Sequence, residues 1–185
     1  MTTNPYSPPT AIVADATALA AQEAPTPFFA VSIRKLVVLS FCTFGLYEIY
    51  WFFKNWQLIK AREGINISPA PRAIFAVFYC YQCFRRIRDF QARASDDSKL
   101  AAGRLAFGWI VTTLLHKLPG AYWMISLLAF MFIIPVQMYA NEINATNSPG
   151  YIRNNRLTGW NWVAVVIGGI LIALNIIGML LPQRY

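Results

Sequence analysis

Two stretches of about twenty residues, 121–140 and 160–181, contain no Asp, Glu, Lys or Arg. A helix rises 1.5 Å per residue, so each would be about 30 Å long, which is the thickness of the hydrocarbon core of a bilayer. A soluble fold of this size has little room to surround two such helices on every side. Composition points the same way. Apolar residues make up 57% and charged residues 13%, against roughly 25% charged in an ordinary soluble domain. The apolar residues also come in blocks, without the alternating pattern of half-buried strands. The expected fold is an all-α membrane protein.

Three further apolar segments precede these two. The first, 36–53, opens after Arg34-Lys35 and closes at Lys54-Asn55-Trp56. The second, 73–84, follows Pro69 and Pro71, and the third, 105–115, lies between Arg104 and His116-Lys117. If Arg104 and Lys117 extend their stems toward the headgroups, the third becomes a span over about 101–118. Leu118-Pro119-Gly120 then reads as a tight turn joining it to 121–140 in a helical hairpin. The expectation is therefore three transmembrane helices, at about 101–118, 121–140 and 160–181. The N-terminal apolar segment 36–53 either spans or re-enters. A short amphipathic helix at about 71–88 is expected to lie at the interface. Residues 1–30 read as a disordered Pro- and Ala-rich tail, leaving 31–185 as the helical membrane domain. That tail holds no Lys or Arg and no continuous apolar core. Insertion is thus expected to be directed by the first apolar segment, with no signal peptide.

Sixteen Lys and Arg stand against eight Asp and Glu, a formal net charge of +8. The cations lie between the apolar blocks, which suits cytoplasmic loops and anionic lipid headgroups and not nucleic acid. If all five segments cross, the basic residues divide ten to six between the two sides. If 73–84 does not cross they divide twelve to four, and if 36–53 also turns back, fourteen to two. The positive-inside rule favours the last two arrangements, both with the C-terminus outside the cytoplasm. Segment 36–53 has a place to turn, because Thr43 can cap a helix and Gly45 can take a left-handed conformation. Leu46 to Glu63 would then be a second helix with a polar stripe at Tyr47, Tyr50, Lys54 and Gln57.

The run Thr43-Phe44-Gly45-Leu46-Tyr47-Glu48-Ile49-Tyr50-Trp51-Phe52-Phe53-Lys54-Asn55-Trp56 resembles the T-x-G-(I/L)-Y-x-x-Y-W-(F/L)-(F/Y)-K signature of a bacterial integral-membrane family. That family is catalogued as a domain of unknown function. The match is close over about residues 31–63, and the later segments resemble a longer variant with the same Asn4-Pro5-Tyr6 opening. The resemblance implies a bacterial membrane location and supplies no substrate, cofactor or catalytic residue.

Few residues offer chemistry. Glu48 is the one acidic residue inside an apolar segment, and a carboxylate in hydrocarbon must be paired, protonated, near the surface or functional. Its functional reading is a proton or cation site; the plainer one is a place at interface depth near a helix N-terminus. Cys80 and Cys83 form a CxxC, yet three cysteines in apolar surroundings read as buried apolar side chains. His116 reads as a headgroup-level anchor. Arg85, Arg86, Arg88 and Arg93, with Asp89, Asp96 and Asp97 nearby, form a net-basic stretch suited to lipid headgroups or a docking partner. Ala164, Gly168, Gly169 and Ala173 offer a close-packing face, within the chain or between two copies, and Asn175 could add an interhelical hydrogen bond. Trp51, Trp56, Trp123, Trp160 and Trp162 read as interfacial aromatic belts. No nucleophilic triad, phosphate loop, metal motif or carboxylate pair is present. No cofactor or metal is expected, and an enzyme is not. The reading is a small membrane protein acting through lipid or protein contacts in the bacterial cytoplasmic membrane. Its alternative is a transporter or channel subunit built on Glu48.

Overall fold

The computed structural model describes residues 26–92 and 100–180. Among them are seven α-helices and no strand beyond a single bridge between Val31 and Asn154. Helix α1 (Ile33–Cys42) starts at Ser32, whose Oγ accepts the Lys35 N–H at 3.3 Å. It stops in a Schellman turn: the Gly45 N–H donates to Ser40 O at 2.9 Å and the Phe44 N–H to Phe41 O at 3.3 Å. Both turn residues are left-handed, Phe44 with φ 53° and Gly45 with φ 84°. Glycine takes that conformation at no steric cost, whereas Phe44 bears one. Thr43 Oγ1 ties the corner together, donating to Leu39 O at 2.7 Å and accepting the Tyr47 N–H at 2.9 Å. Helix α2 (Leu46–Glu63) leaves the corner in the opposite direction and ends at left-handed Gly64. The corner expected at Thr43 and Gly45 within segment 36–53 is present.

A second, shorter hairpin follows. Helix α3 (Pro69–Ile74) begins with Pro at its first position, where the missing N–H costs nothing. It runs back along α2, with Arg72 stacked over the Trp56 ring at 4.8 Å. Phe75 breaks the path, and helix α4 (Ala76–Ala92) returns beside α2 in the same direction. Phe52 stacks on Phe84 with centroids 5.9 Å apart, and Arg86 further along pairs with Glu63. The single short helix expected over 71–88, at the interface, is thus corrected in its extent. It is two helices, and α4 sends Cys80, Cys83, Phe84 and Ile87 into the core. Each such side chain stabilises the fold by roughly 1.5–3 kcal/mol, which gives α4 a core role that its basic end conceals.

Helix α5 (Ala102–Leu114) packs on α4, then gives way to a 3-10 turn at Leu115–Lys117 and a 3-10 helix at Gly120–Leu128. Helix α6 (Phe130–Asn147) continues from there. The hairpin between the third and fourth segments exists, but its corner is wider than a tight turn at Leu118-Pro119-Gly120. Helix α6 also runs on to Asn147, past the expected limit at 140. Gly108 lets the two arms close up, since a Cβ there would collide with the Phe132 ring. Helix α7 (Gly159–Leu180) matches the fifth segment over its described length and packs on α1. Two helical stretches are long and apolar enough to cross a membrane, Tyr122–Asn147 and Gly159–Gly178.

The packed chain begins earlier than composition suggests. Residues 1–25 of the expected tail lie outside the described residues, but Phe28 is fully buried and its ring meets Phe90 edge-on at 5.4 Å. The tryptophan belt is also corrected in part. Trp51 and Trp56 are core residues at 0% exposure, while Trp160 is 84% exposed. The inward face of α2 takes the first two, because large aromatic surfaces gain most from burial.

Candidate functional site

The two hairpin corners lie toward one end of the bundle. Phe44 stacks on Trp123 with centroids 6.3 Å apart, and Phe44, Ile74 and Val77 line one cavity with residues of the α5–α6 corner. That end is apolar and outward-facing, with Leu46, Ile74, Phe75 and Phe78 all exposed. The far ends of α2 and α4 carry the charge. Arg62, Glu63, Arg85, Arg86 and Asp89 line an open depression of about 860 Å³.

In and beside that depression Arg85 pairs with Asp89 at 3.2 Å and Arg62 with Glu63 at 3.1 Å, Arg86 also pairs with Glu63, and Arg88, outside the lining, pairs with Asp89 at 2.8 Å. Four guanidinium groups therefore share two carboxylates, and the face stays net positive. The Arg62 guanidinium also lies over both the Phe28 and Phe90 rings, at 4.5 and 4.7 Å from their centroids. Exposed pairs of this kind contribute about 0–1 kcal/mol each to stability, so their main consequence is the field they present. Arg93, Asp96 and Asp97 lie outside the described residues.

At the opposite end, Glu48 occupies the first turn of α2 and is 4% exposed. Its Oε2 accepts the indole N–H of Trp109 on α5 at 2.6 Å. Its Oε1 faces the Gly45 corner. The carboxylate lines a cavity of about 330 Å³ together with Phe44, Leu46, Trp109, Thr113, His116 and Trp123. Thr113 Oγ1 is buried there without a hydrogen-bond partner. Glu48 lies outside both candidate spans, and burial raises its carboxyl above the ordinary value, opposed by the Trp109 hydrogen bond. The place near a helix N-terminus is as expected, while the Trp109 partner comes from α5. His116 is exposed, with Nδ1 2.7 Å from Thr113 O.

Trp51 leads to a polar cluster that sequence reasoning missed. Its indole N–H donates to Gln137 Oε1 at 2.5 Å, and Gln137 Nε2 donates to Phe29 O at 2.9 Å and Val31 O at 3.3 Å. Asn141 Nδ2 donates to Val31 O at 3.0 Å. Asn144 takes both backbone groups of Phe28, accepting its N–H at 2.9 Å and donating to its carbonyl at 2.8 Å. Asn55 on α2 accepts the Phe29 N–H at 3.2 Å. Side-chain amides thus do for residues 28–31 what a neighbouring strand would do, satisfying a buried extended backbone. A signal was present: Gln137, Asn141 and Asn144 recur at i, i+4 and i+7 on one helical face.

Other expected features take structural places. Cys80 and Cys83 are both buried on α4, and burial raises both thiols. Gly168 lies directly against the Cys42 carbonyl, where a Cβ would overlap the oxygen. Close packing at that position is used within the chain, while Gly169 and Ala173 face outward. The Asn175 side chain donates to Leu171 O in its own helix at 2.9 Å. Among the described residues, no group of three His, Cys, Asp or Glu could hold a metal. No family model matches the chain, and no curated protein or solved structure does.

Proposed function

We propose that this is a small, non-enzymatic protein of the bacterial cytoplasmic membrane that acts through lipid or protein contacts at its basic face. In this reading α5, the stretch 122–147 and α7 cross the bilayer. The α1–α2 and α3–α4 hairpins dip in from the cytoplasmic side, and the C-terminus lies outside. The observation that carries it is the segregation of surface along the bundle. Leu46, Ile74 and Phe78 are 67%, 66% and 76% exposed near the corners, while Arg85, Arg86 and Arg88 gather where α4 ends. Apolar side chains so exposed find a favourable solvent in lipid, and the guanidinium groups find phosphates at the headgroup. The resemblance of residues 43–56 to a bacterial membrane family supports the same placement.

Labelling by a membrane-impermeant maleimide tests it, in a Cys42→Ser background. Lys60→Cys and Arg85→Cys are expected to react only in inside-out vesicles, and Lys117→Cys only from the outer face. Reaction of Lys60→Cys and Arg85→Cys from opposite sides would mean that the α3–α4 unit crosses, and the reading would fall. For the lipid contact, replacing Arg85, Arg86 and Arg88 with Gln is expected to remove the extra thermal stability that phosphatidylglycerol gives over phosphatidylcholine in nanodiscs.

A further inference from the structure

We propose that the cavity between the two hairpin corners and the α5–α6 corner is a binding site for a small lipophilic organic cation, with Glu48 as its counter-ion. This goes beyond the membrane placement above and needs it only for the route by which a ligand arrives. The wall is made of Phe44, Trp109 and Trp123 together with aliphatic side chains such as Leu46, Ile74 and Leu127. Into that wall come a carboxylate, anchored through a single oxygen by Trp109, and a buried hydroxyl, Thr113 Oγ1, with no partner; His116 and Ser126, which also line it, are each tied to a backbone carbonyl, of Thr113 and of Trp123.

The chemistry of the lining narrows the ligand. An anion is repelled by the carboxylate in its ionised form, which is the form a neighbouring cation favours. A bare metal ion would need several oxygen or nitrogen donors, and no group of three His, Cys, Asp or Glu lies among the described residues. An ammonium with an apolar skin meets the carboxylate, the aliphatic wall and the aromatic rings together. Its charge faces Glu48, its alkyl or aryl surface packs on the aliphatic wall, and aromatic faces attract the cation. Leu46 and Ile74, which line the cavity, are also highly exposed at the apolar end of the bundle. The cavity therefore borders side chains that lipid would cover, and a ligand that partitions into lipid can reach it.

The test is isothermal titration calorimetry of the full chain in detergent with benzyltrimethylammonium, subtracting the same titration into protein-free micelles. Phenylmethanesulfonate, an anion of like shape, is the control. Saturable binding of the cation and none of the sulfonate is expected. Glu48→Gln keeps an oxygen to accept the Trp109 N–H and so keeps the local fold. It is expected to weaken binding at least about tenfold, because the attraction is made in a low-dielectric cavity. Trp123→Leu, also in the lining, is expected to weaken it by about three- to tenfold through loss of the cation–aromatic contact. An absence of saturable binding to the unaltered chain overturns the proposal, as does equal binding of the sulfonate or unchanged affinity in Glu48→Gln. Should Glu48→Gln fail to fold, unchanged affinity in Trp123→Leu overturns it. Binding in detergent does not depend on which loops face the cytoplasm, so this outcome and the labelling outcome fail separately.

Discussion

The two helical stretches long enough to cross a membrane are embedded very differently in the chain. The most apolar part of Tyr122–Asn147 is 39% buried within the protein, whereas that of Gly159–Gly178 is only 6% buried. The first carries Gln137, Asn141 and Asn144, which reach across to hold residues 28–31. The second touches the rest along one narrow line, with Asn161, Ala164, Val165, Gly168 and Ile172 less exposed than their neighbours. Polar side chains on one apolar helix thus fix it to the fold. A helix whose polar side chains are confined to Asn161 near its start and Asn175, bonded within its own helix, leaves most of its surface uncovered by the rest of the fold.

That contrast can be broken most directly at Gln137. Gln137→Leu would orphan the Trp51 indole N–H and remove donors from the Phe29 and Val31 carbonyls. Unpaired buried groups cost about 1–3 kcal/mol each, so a loss of about 3–5 kcal/mol is expected in thermal or denaturant unfolding followed by tryptophan fluorescence. A loss under about 1 kcal/mol would show that the amide cluster does not anchor the helix. Gly168→Leu comes next. Its side chain would collide with the Cys42 carbonyl, and overpacking of this kind costs about 1–3 kcal/mol. The expected result is easier proteolysis in the 148–158 loop as α7 leaves α1, with the tryptophan-rich core melting nearly as before. If the whole core melts with it, the two helices are equally integrated and the comparison fails.

Smaller effects sharpen the same contrast. Gly45→Ala puts a side chain on a left-handed residue with φ 84°, with no steric neighbour nearer than Glu48 Oε1 at 3.9 Å from its Cβ. The penalty is the conformation itself, about 1–2 kcal/mol, read as a lower unfolding midpoint. Smallest of all, Trp160→Ala removes a ring that is 84% exposed and is expected to change stability in detergent by less than about 0.5 kcal/mol. A larger loss would mean that the N-terminal end of α7 carries packing which its exposure conceals.

Helix α7 was legible from its residues because a charge-free run of the right length has few other uses. The corner after α1 was legible because Thr43 and Gly45 carry their own local chemistry. Asn144 and Phe28 were not, since they are 116 positions apart and neither looks unusual among its neighbours. The α3–α4 hairpin was half legible: Pro69 marks the start of α3, but the basic end of α4 hid the core-facing row of Ala76, Cys80, Cys83, Phe84 and Ile87.

Glu48 shows where the division lies. That a carboxylate stands inside an apolar segment, beside a glycine corner, follows from the residues alone, as do the helical class and the blocks of lipid-compatible length. Local spacing sets those properties, through helical rise and the cost of charge in hydrocarbon. Which partner Glu48 would find was decided by the tertiary structure, which brings Trp109 to it from 61 positions away and leaves a cavity beside them. The same holds for the amides that grip residues 28–31. A buried polar group must be satisfied, but the rule does not say by whom, and only the packing of helices distant in sequence supplies the answer.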